Sequence, residues 1–172
     1  MPYNPHVHHR RSIRLKNYDY SSPGSYYITV CVAERQHVFG HIQNRIMHLN
    51  MFGHIVQECW YELPQHYPHV HLDAWVVMPD HIHGIIVLTE YTDNAVMPEH
   101  TRHALPEIVR ALKSFSARRI NILRNTIGTP LWQRNYYDCI IRDQQHLHNT
   151  RQYIANNPAR WAERKLPREG QV

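Results

Sequence analysis

The chain has 172 residues, of which 42% are hydrophobic and 19% are charged, so it is long enough to form one globular domain, residues 1–172, with a sizeable core. Nineteen Lys and Arg against fourteen Asp and Glu give a formal charge of +5, which favours a polyanionic partner such as nucleic acid. The three scattered cysteines, Cys31, Cys59 and Cys139, argue against a disulfide framework and a zinc cage.

The sequence gives no indication of secretion or of insertion into a membrane. The N-terminal "MPYNPHVHHRRSIRLK" lacks a signal-peptide pattern, and no apolar run approaches the roughly eighteen residues of a membrane span. We therefore expect a cytoplasmic protein that makes no use of a membrane.

The first part of the chain is predicted to be a basic arm followed by two strands and a helix. Residues 1–24 are rich in Pro, His and Arg and end in the turn-like "YDYSSPGS". The β-branched and aromatic "YYITVCVAERQHVFG" predicts a strand, with "IQNRIMHLN" as its hairpin partner. The segment "NMFGHIVQECWYEL" has helical spacing of apolar residues and is predicted to end near Pro64.

The middle of the chain predicts a second pair of strands. "HVHLDAWVVM" and "HIHGIIVL" are strand-like and are joined by a tight turn at Pro79-Asp80. Residues 89–104 are predicted to form a loop.

The last part of the chain completes the pattern. "LPEIVRALKSFSARRINILRN" predicts an amphipathic helix, "LWQRNYYDCII" a short strand, and a final helical region begins near Asp143 and is interrupted at Pro158. The order β-β-α-β-β-α-β-α indicates an α+β fold, a mostly antiparallel sheet with helices packed on it.

Four His-x-His triplets occur where about one or two are expected by chance, so their surroundings must decide between them. The pairs in the arm and in the last helix are poor candidates for a preformed site, and the pair that begins a strand ranks second. In "VVMPDHIHGIIV", alternation along a strand places both histidines on one sheet face, where they can bind one metal ion. The pairs are, in that order, His6/His8, His146/His148, His69/His71 and His81/His83.

The C-terminal "HLHNTRQYIANNPARW" supplies further candidates. At helical spacing His146, Asn149, Tyr153 and Asn157 share one face, beside a packing face of Leu147, Thr150 and Ile154. Tyr153 is a candidate nucleophile and Asn157 a candidate oxygen ligand for a hard cation. Spacing alone fits equally well with Tyr153 as a packing residue and Asn157 as a helix cap.

Four segments together resemble the REP-associated tyrosine transposases, within the single-stranded-DNA transposases of the HUH endonuclease superfamily. They are "RRSIRLKNYDYSSPGSYYITV", "AWVVMPDHIHGIIV", "LWQRNYYDCIIR" and "YIANNPARW". The resemblance implies a ferredoxin-like antiparallel sheet with helices packed on it and a C-terminal helix carrying the tyrosine. It divides the chain into a basic arm (1–24), a catalytic core (25–157) and a C-terminal extension (158–172).

The resemblance also implies the chemistry. His81 and His83 correspond to the histidines that bind a divalent metal, Mg²⁺ or Mn²⁺, Asn157 to the third ligand, and Tyr153 to the nucleophile. The implied activity is metal-dependent cleavage and strand transfer of single-stranded DNA at hairpin-forming palindromic repeats, through a 5′-phosphotyrosine intermediate. Some relatives have Gln at the position of Asn157. Because the Asn side chain is shorter than that of Gln, the distance from Asn157 to the metal is left open. Family members differ in whether two subunits share their sites, so a homodimer is left open.

Two basic groups are predicted to contact the hairpin DNA through its phosphates, although for any one of these residues the sequence fits a solvated basic helix face equally well. Rival functions are a non-catalytic hairpin-binding protein derived from a transposase, a metal-dependent hydrolase that uses water, and another HUH nuclease, a relaxase or replication initiator. The predicted DNA contacts are Arg10, Arg11, Arg14 and Lys16 in the arm, and Arg110, Lys113, Arg118 and Arg119 on the amphipathic helix.

Overall fold

The computed structural model describes residue 15, residues 17–90 and residues 103–165. Four strands of this part form the main sheet, β1 (Gly24–Cys31), β4 (Val70–Met78), β5 (His81–Leu88) and β6 (Tyr137–Ile141). A separate hairpin consists of β2 (Gly40–Gln43) and β3 (Ile46–Leu49). The helices are α1 (Met51–Tyr61), α2 (Leu63–His66), α3 (Leu105–Leu123), α4 (Gln144–Ala155) and α5 (Asn157–Lys165).

The main sheet has the strand order β4-β5-β1-β6, and every neighbouring pair is antiparallel. Because β1 is separated from β4 in the chain by α1, and β5 from β6 by α3, the strands and helices follow the split β-α-β pattern of a ferredoxin-like fold. The α+β prediction, with helices packed on an antiparallel sheet, is therefore confirmed.

One face of the sheet carries the hydrophobic core. In β1, Tyr26, Ile28 and Val30 are fully buried on this face, and α1 and α3 pack against it through their apolar sides. The ring of Trp60 lies on Gly84, where a Cβ atom would come within 2.3 Å of the indole. A bidentate ion pair between Arg119 and Glu62 joins the two helices at their rim.

The predicted hairpin between the first strand and "IQNRIMHLN" is wrong. Strand β1 ends at Cys31, and its two edges are taken by β5 and β6, so no edge remains for a hairpin partner. Instead β3 pairs with β2 through a two-residue turn, Asn44-Arg45, whose φ angles of 51° and 65° are those of a tight hairpin turn.

The opposite face of the sheet is covered by α4. Asp143 caps this helix by accepting a hydrogen bond from the backbone N–H of His146, in agreement with the predicted start. Thr150 and Ile154 are buried, as predicted for the packing face, whereas Asn149, predicted beside Tyr153, is exposed. None of the described helices is long and apolar enough to cross a membrane.

Candidate active site

His81 and His83 lie side by side on the sheet face that α4 covers. They point away from the core because side chains alternate along β5, and Ile82 and Gly84 take the core side. The two Nε2 atoms are 3.0 Å apart, and both residues are buried, with 6% and 5% exposure. The prediction that these histidines share one sheet face agrees with this geometry.

Hydrogen bonds at the Nδ1 atoms fix the orientation of both rings. His81 Nδ1 is bonded to a carboxylate oxygen of Asp80, which can only accept, so Nδ1 carries a proton and Nε2 is the ring nitrogen that faces His83. His83 Nδ1 lies 2.7 Å from the hydroxyl of Tyr27 and 2.8 Å from that of Thr29. Hydroxyls can donate or accept, so they support either neutral tautomer of His83.

Burial and local charge set the protonation states around the pair. Burial, with a smaller contribution from His81, lowers the pKa of His83 to about 3, so this ring is neutral near pH 7. Burial raises the pKa of Asp80, but the hydrogen bond from His81 and nearby Arg35 outweigh burial and hold the pKa below its ordinary value. The site thus contains a neutral imidazole and an ionised carboxylate that orients its neighbour.

Tyr153 lies above the histidines on α4. Its ring centroid is 5.4 Å from that of His83 and 6.3 Å from that of Tyr27, both in edge-on arrangements, and the guanidinium carbon of Arg160 is 5.5 Å from the ring centroid. Helix α4 is fixed to the sheet by a bidentate ion pair between Arg151 and Asp73. The tyrosine and both histidines therefore meet within one copy of the chain.

Asn157, at the start of α5, completes the group. It is 7% exposed and, together with Tyr153, His81 and His83, lines a cavity of about 390 Å³. All four residues that the resemblance assigned to catalysis and metal binding are thus brought to one place. The other residues lining this cavity are Thr29, Arg35, Asp80, Arg160, Trp161 and Arg164.

The donor set fits a divalent cation with nitrogen and oxygen ligands. Two ligand nitrogens about 2.1 Å from one ion and at about 90° are about 3.0 Å apart, which is the observed separation of the two Nε2 atoms. Imidazole ligands favour Mn²⁺ over the harder Mg²⁺, and an amide oxygen suits either ion. Among the described residues no group of three or more His, Cys, Asp or Glu side chains is arranged to hold a metal, and Asn157 is the one amide side chain among the described residues that line the cavity.

Three arginines around the cavity were missed by the sequence reasoning. Arg35 precedes β2, and Arg160 and Arg164 lie one turn apart on α5. The spacing of Arg160 and Arg164 could have indicated a shared helix face, whereas no local pattern marks Arg35. Their three positive charges outweigh the negative charge of Asp80, so the cavity is cationic and favours an anion such as a phosphate.

The predicted DNA-binding residues fall into three groups. Arg10, Arg11, Arg14 and Lys16 lie outside the described residues. On α3, Arg110 and Arg118 are exposed, and Arg110 lines a larger cavity of about 970 Å³ beside the loop that precedes β6. Lys113 donates to the backbone carbonyls of Gln133 and Arg134, and Arg119 is paired with Glu62, so these two contacts stabilise the fold.

Two of the three competing histidine pairs lie in the described residues, and neither forms a comparable site. The buried His69 precedes β4, where its Nε2 donates to the carbonyl of His103, while His71 is exposed. His146 faces the sheet from α4 but His148 is exposed, as expected for residues two apart in a helix. The pair His6/His8 lies outside the described residues.

Comparison with known sequences gives matches along most of the chain. Residues 21–157 match the family model described as "Transposase IS200 like". A Haemophilus influenzae protein of uncharacterised function is 39% identical over 175 residues, covering 95% of this chain and 96% of its own length. A second protein of that organism, provisionally named a REP-associated tyrosine transposase, is 27% identical and is matched over 85% of this chain and 77% of its own length.

Solved structures share the fold at low sequence identity. A REP-associated tyrosine transposase bound to a REP hairpin superposes with a TM-score of 0.63 at 18% identity, over 88% of this chain and 74% of that one. A protein from Deinococcus radiodurans, provisionally named a transposase, superposes with a TM-score of 0.51 at 21% identity, over 84% and 97% of the two chains. At these identities the likeness establishes the architecture.

Proposed function

The chain belongs to the IS200-like transposase family and is of the REP-associated tyrosine transposase type, and on this premise we propose that it cleaves and rejoins single-stranded DNA at hairpin-forming repeats. The observation that carries the proposal is the position of Tyr153 against His83. A phenol lies 5.4 Å, ring to ring, from one of two preoriented histidines in a polar cavity lined by arginines.

In the proposed reaction Tyr153 Oη attacks a backbone phosphorus and displaces the 3′-oxygen. The new bond is a 5′-phosphotyrosine ester, and the phenol proton is balanced by the proton taken up by the released 3′-hydroxyl. Because one phosphoester replaces another, a second 3′-hydroxyl can reverse the attack and join strands without ATP.

A free phenol, with a pKa near 10, is a weak nucleophile at neutral pH, so the site must lower the barrier. His81, His83 and Asn157 would hold Mg²⁺ or Mn²⁺, which supplies Lewis-acid stabilisation of the phosphate charge. Asp80 keeps the accepting nitrogen of His81 directed into the site. Burial keeps His83 neutral and therefore able to act as a ligand.

The proposed substrate is a DNA hairpin with an adjoining single strand. The structural relative that binds a REP hairpin supports this choice, as does the net positive charge of the chain. We assign phosphate contacts to the exposed Arg110 and Arg118 and to the arm residues Arg10, Arg11, Arg14 and Lys16. Lys113 and Arg119 remain weaker candidates because both already bind protein groups.

The proposal is tested by covalent trapping on DNA. Labelled single-stranded hairpins from the repeats flanking the gene are incubated with the protein and Mn²⁺ or Mg²⁺, then separated on a denaturing gel beside Tyr153→Phe and Tyr137→Phe. Tyr137 is an exposed tyrosine on β6 and serves as the matched control. We expect a metal-dependent protein–DNA adduct with wild type and Tyr137→Phe and none with Tyr153→Phe.

Other results would identify the rival functions. Cleavage without an adduct that persists in Tyr153→Phe would indicate a nuclease that uses water. Hairpin binding without cleavage by wild type would indicate a DNA-binding protein without activity. Cleavage of a relaxase or replication-origin substrate in preference to the hairpins would indicate another HUH nuclease.

A further inference from the structure

Arg35 occupies the junction of two cavities at the site. Beside the cavity of about 390 Å³ lies a second one of about 570 Å³, between β1, β6 and α4. Within the part of the chain that the structure describes, Thr29, Arg35, His83 and Tyr153 line both. Because these four residues line both cavities, a strand bound across the two would pass beside them, and Arg35 is the one permanent cation among the four.

The backbone at Arg35 is held in a conformation that such residues rarely adopt. Glu34 and Arg35 have φ angles of 53° and 56°, two consecutive non-glycine residues in the left-handed region. Strained backbone of this kind persists only where surrounding contacts fix it, and it is concentrated at functional sites.

Hydrogen bonds on both sides fix this segment to the turn that precedes His81. The backbone N–H of Val32 donates to the backbone carbonyl of Asp80 at 2.8 Å, and that of Val38 donates to the carbonyl of Pro79 at 2.9 Å. A further bond, from Ala33 N–H to the carbonyl of Leu131 at 2.9 Å, connects the segment to the loop before β6. The position of Arg35 is therefore coupled to that of the histidine pair.

The guanidinium group of Arg35 contacts Asp80 but is still largely exposed. Its Nη1 lies 3.5 Å from Asp80 Oδ2, while Oδ1 of the same carboxylate is hydrogen-bonded to His81 Nδ1. Among the described residues this long contact is the one side-chain hydrogen bond of Arg35, and it engages one of the five N–H donors of an arginine. The side chain is 55% exposed, beside a carboxylate that is 8% exposed. Because Arg35 lines both cavities and is more than half exposed, its other donors can bind a ligand there.

We propose that Arg35 is a catalytic residue that binds a non-bridging oxygen of the scissile phosphate, an inference that rests on the proposed function. It offsets the negative charge on the phosphoryl oxygens while the Tyr153 Oη–phosphorus bond forms and the bond to the 3′-oxygen breaks. Arg35 remains protonated throughout, and the planar fork of a guanidinium matches two oxygens of a phosphate better than the ammonium of a lysine does.

The test compares Arg35→Gln with wild type on two substrates. One hairpin has an ordinary phosphate at the linkage that wild type cleaves, and the other has a methylphosphonate there, in which a neutral methyl group replaces one charged oxygen. On the phosphate we expect adduct formation by Arg35→Gln to be about 100-fold slower. On the methylphosphonate we expect the two proteins to react at similar rates, because the charge that Arg35 balances is gone.

Controls separate this role from a structural one. Arg142→Ala removes an exposed arginine next to α4 that lines none of the three cavities, and it should react like wild type on both substrates. Arg35→Lys should recover part of the rate on the phosphate, and melting temperature and hairpin affinity should be retained in all three variants.

Three results would overturn the proposal. Adduct formation by Arg35→Gln within twofold of wild type would show that the charge is not needed. An equal loss on phosphate and methylphosphonate would show that Arg35 acts only through the fold. Absence of any adduct with wild type would refute the proposed function and this inference with it, whereas the first two results leave the proposed function intact.

Discussion

Asp73 and Arg151 form a bidentate ion pair between β4 and α4, with Nε–Oδ1 and Nη2–Oδ2 distances of 2.9 and 2.6 Å. Asp73 lies in a break of the β4–β5 register between Leu72 and Trp75, which places its carboxylate toward α4. Arg151 precedes Tyr153 by two residues. The ion pair therefore fixes the helix that carries Tyr153 relative to the sheet that carries the histidines.

Asp73→Asn should slow adduct formation while leaving hairpin binding unchanged. A small displacement of Tyr153, the proposed nucleophile, raises the barrier to attack on the phosphate, and we expect about a tenfold lower single-turnover rate. The rate and the hairpin Kd are measured on the same protein. Gln152→Ala, a change at an exposed position of the same helix, should have no effect, and an unchanged rate in Asp73→Asn would refute the positioning role.

The same ion pair predicts how stability depends on pH. The hydrogen bonds from Arg151 outweigh the effect of burial and hold the pKa of Asp73 below its ordinary value. The contribution of the ion pair to the free energy of unfolding is complete above the pKa of Asp73 in the unfolded chain, about 3.9. It is lost as the pH falls through the lower pKa of Asp73 in the folded protein. Urea unfolding should show a stability difference between wild type and Asp73→Asn that is constant above about pH 5 and shrinks below about pH 4.

Asp80→Asn should weaken metal binding by about 10- to 100-fold, since the carboxylate fixes the tautomer and orientation of His81. Mn²⁺ binding is followed by titration calorimetry or by the electron paramagnetic resonance signal of the free ion. Asp73→Asn is the control, because it should change the reaction rate without changing Mn²⁺ affinity. Equal affinities for wild type and Asp80→Asn would contradict the orienting role of Asp80.

The histidine face and the tyrosine helix were predictable because their signals are local. Alternation along a strand places His81 and His83 together, and helical spacing places Thr150 and Ile154 on the packing side of α4. The partners of β1 were not predictable in this way, because β5 and β6 join it from positions far along the chain. The hairpin prediction failed for that reason.

Contacts between distant residues and unusual backbone geometry were also beyond the sequence. The ion pair of Asp73 and Arg151 joins residues 78 positions apart. The left-handed pair Glu34-Arg35 contains no glycine or asparagine, so no turn motif marks it. Arg35 therefore carried no signal, although it lines the cavity that the histidines and the tyrosine share.

Gly84→Ala should destabilise the fold by about 1–3 kcal/mol through overpacking. Its new Cβ would lie 2.3 Å from the indole of Trp60, which itself stacks on Trp75 at 5.4 Å between ring centroids. Because Gly84 follows His83, the adjusted strand should also lower Mn²⁺ affinity. Urea unfolding measures the loss, and Gln152→Ala, a change at an exposed helix position, is the control and should leave stability nearly unchanged. Unchanged stability in Gly84→Ala would show that the indole can move aside.

Arg110 and Lys113 lie one turn apart on α3, but replacing them should affect different properties, hairpin affinity for Arg110 and stability for Lys113. Arg110 is exposed at the cavity of about 970 Å³, so Arg110→Ala should weaken hairpin binding at every sequence and reduce the slope of log affinity against log salt by about one. Lys113 Nζ donates to two carbonyls at 2.8 Å, so Lys113→Ala leaves two acceptors without this donor and should lower the free energy of unfolding by about 1–3 kcal/mol. Fluorescence anisotropy at several salt concentrations and urea unfolding of both variants measure the two effects. A salt slope unchanged in Arg110→Ala would remove this face of α3 from the proposed DNA contact.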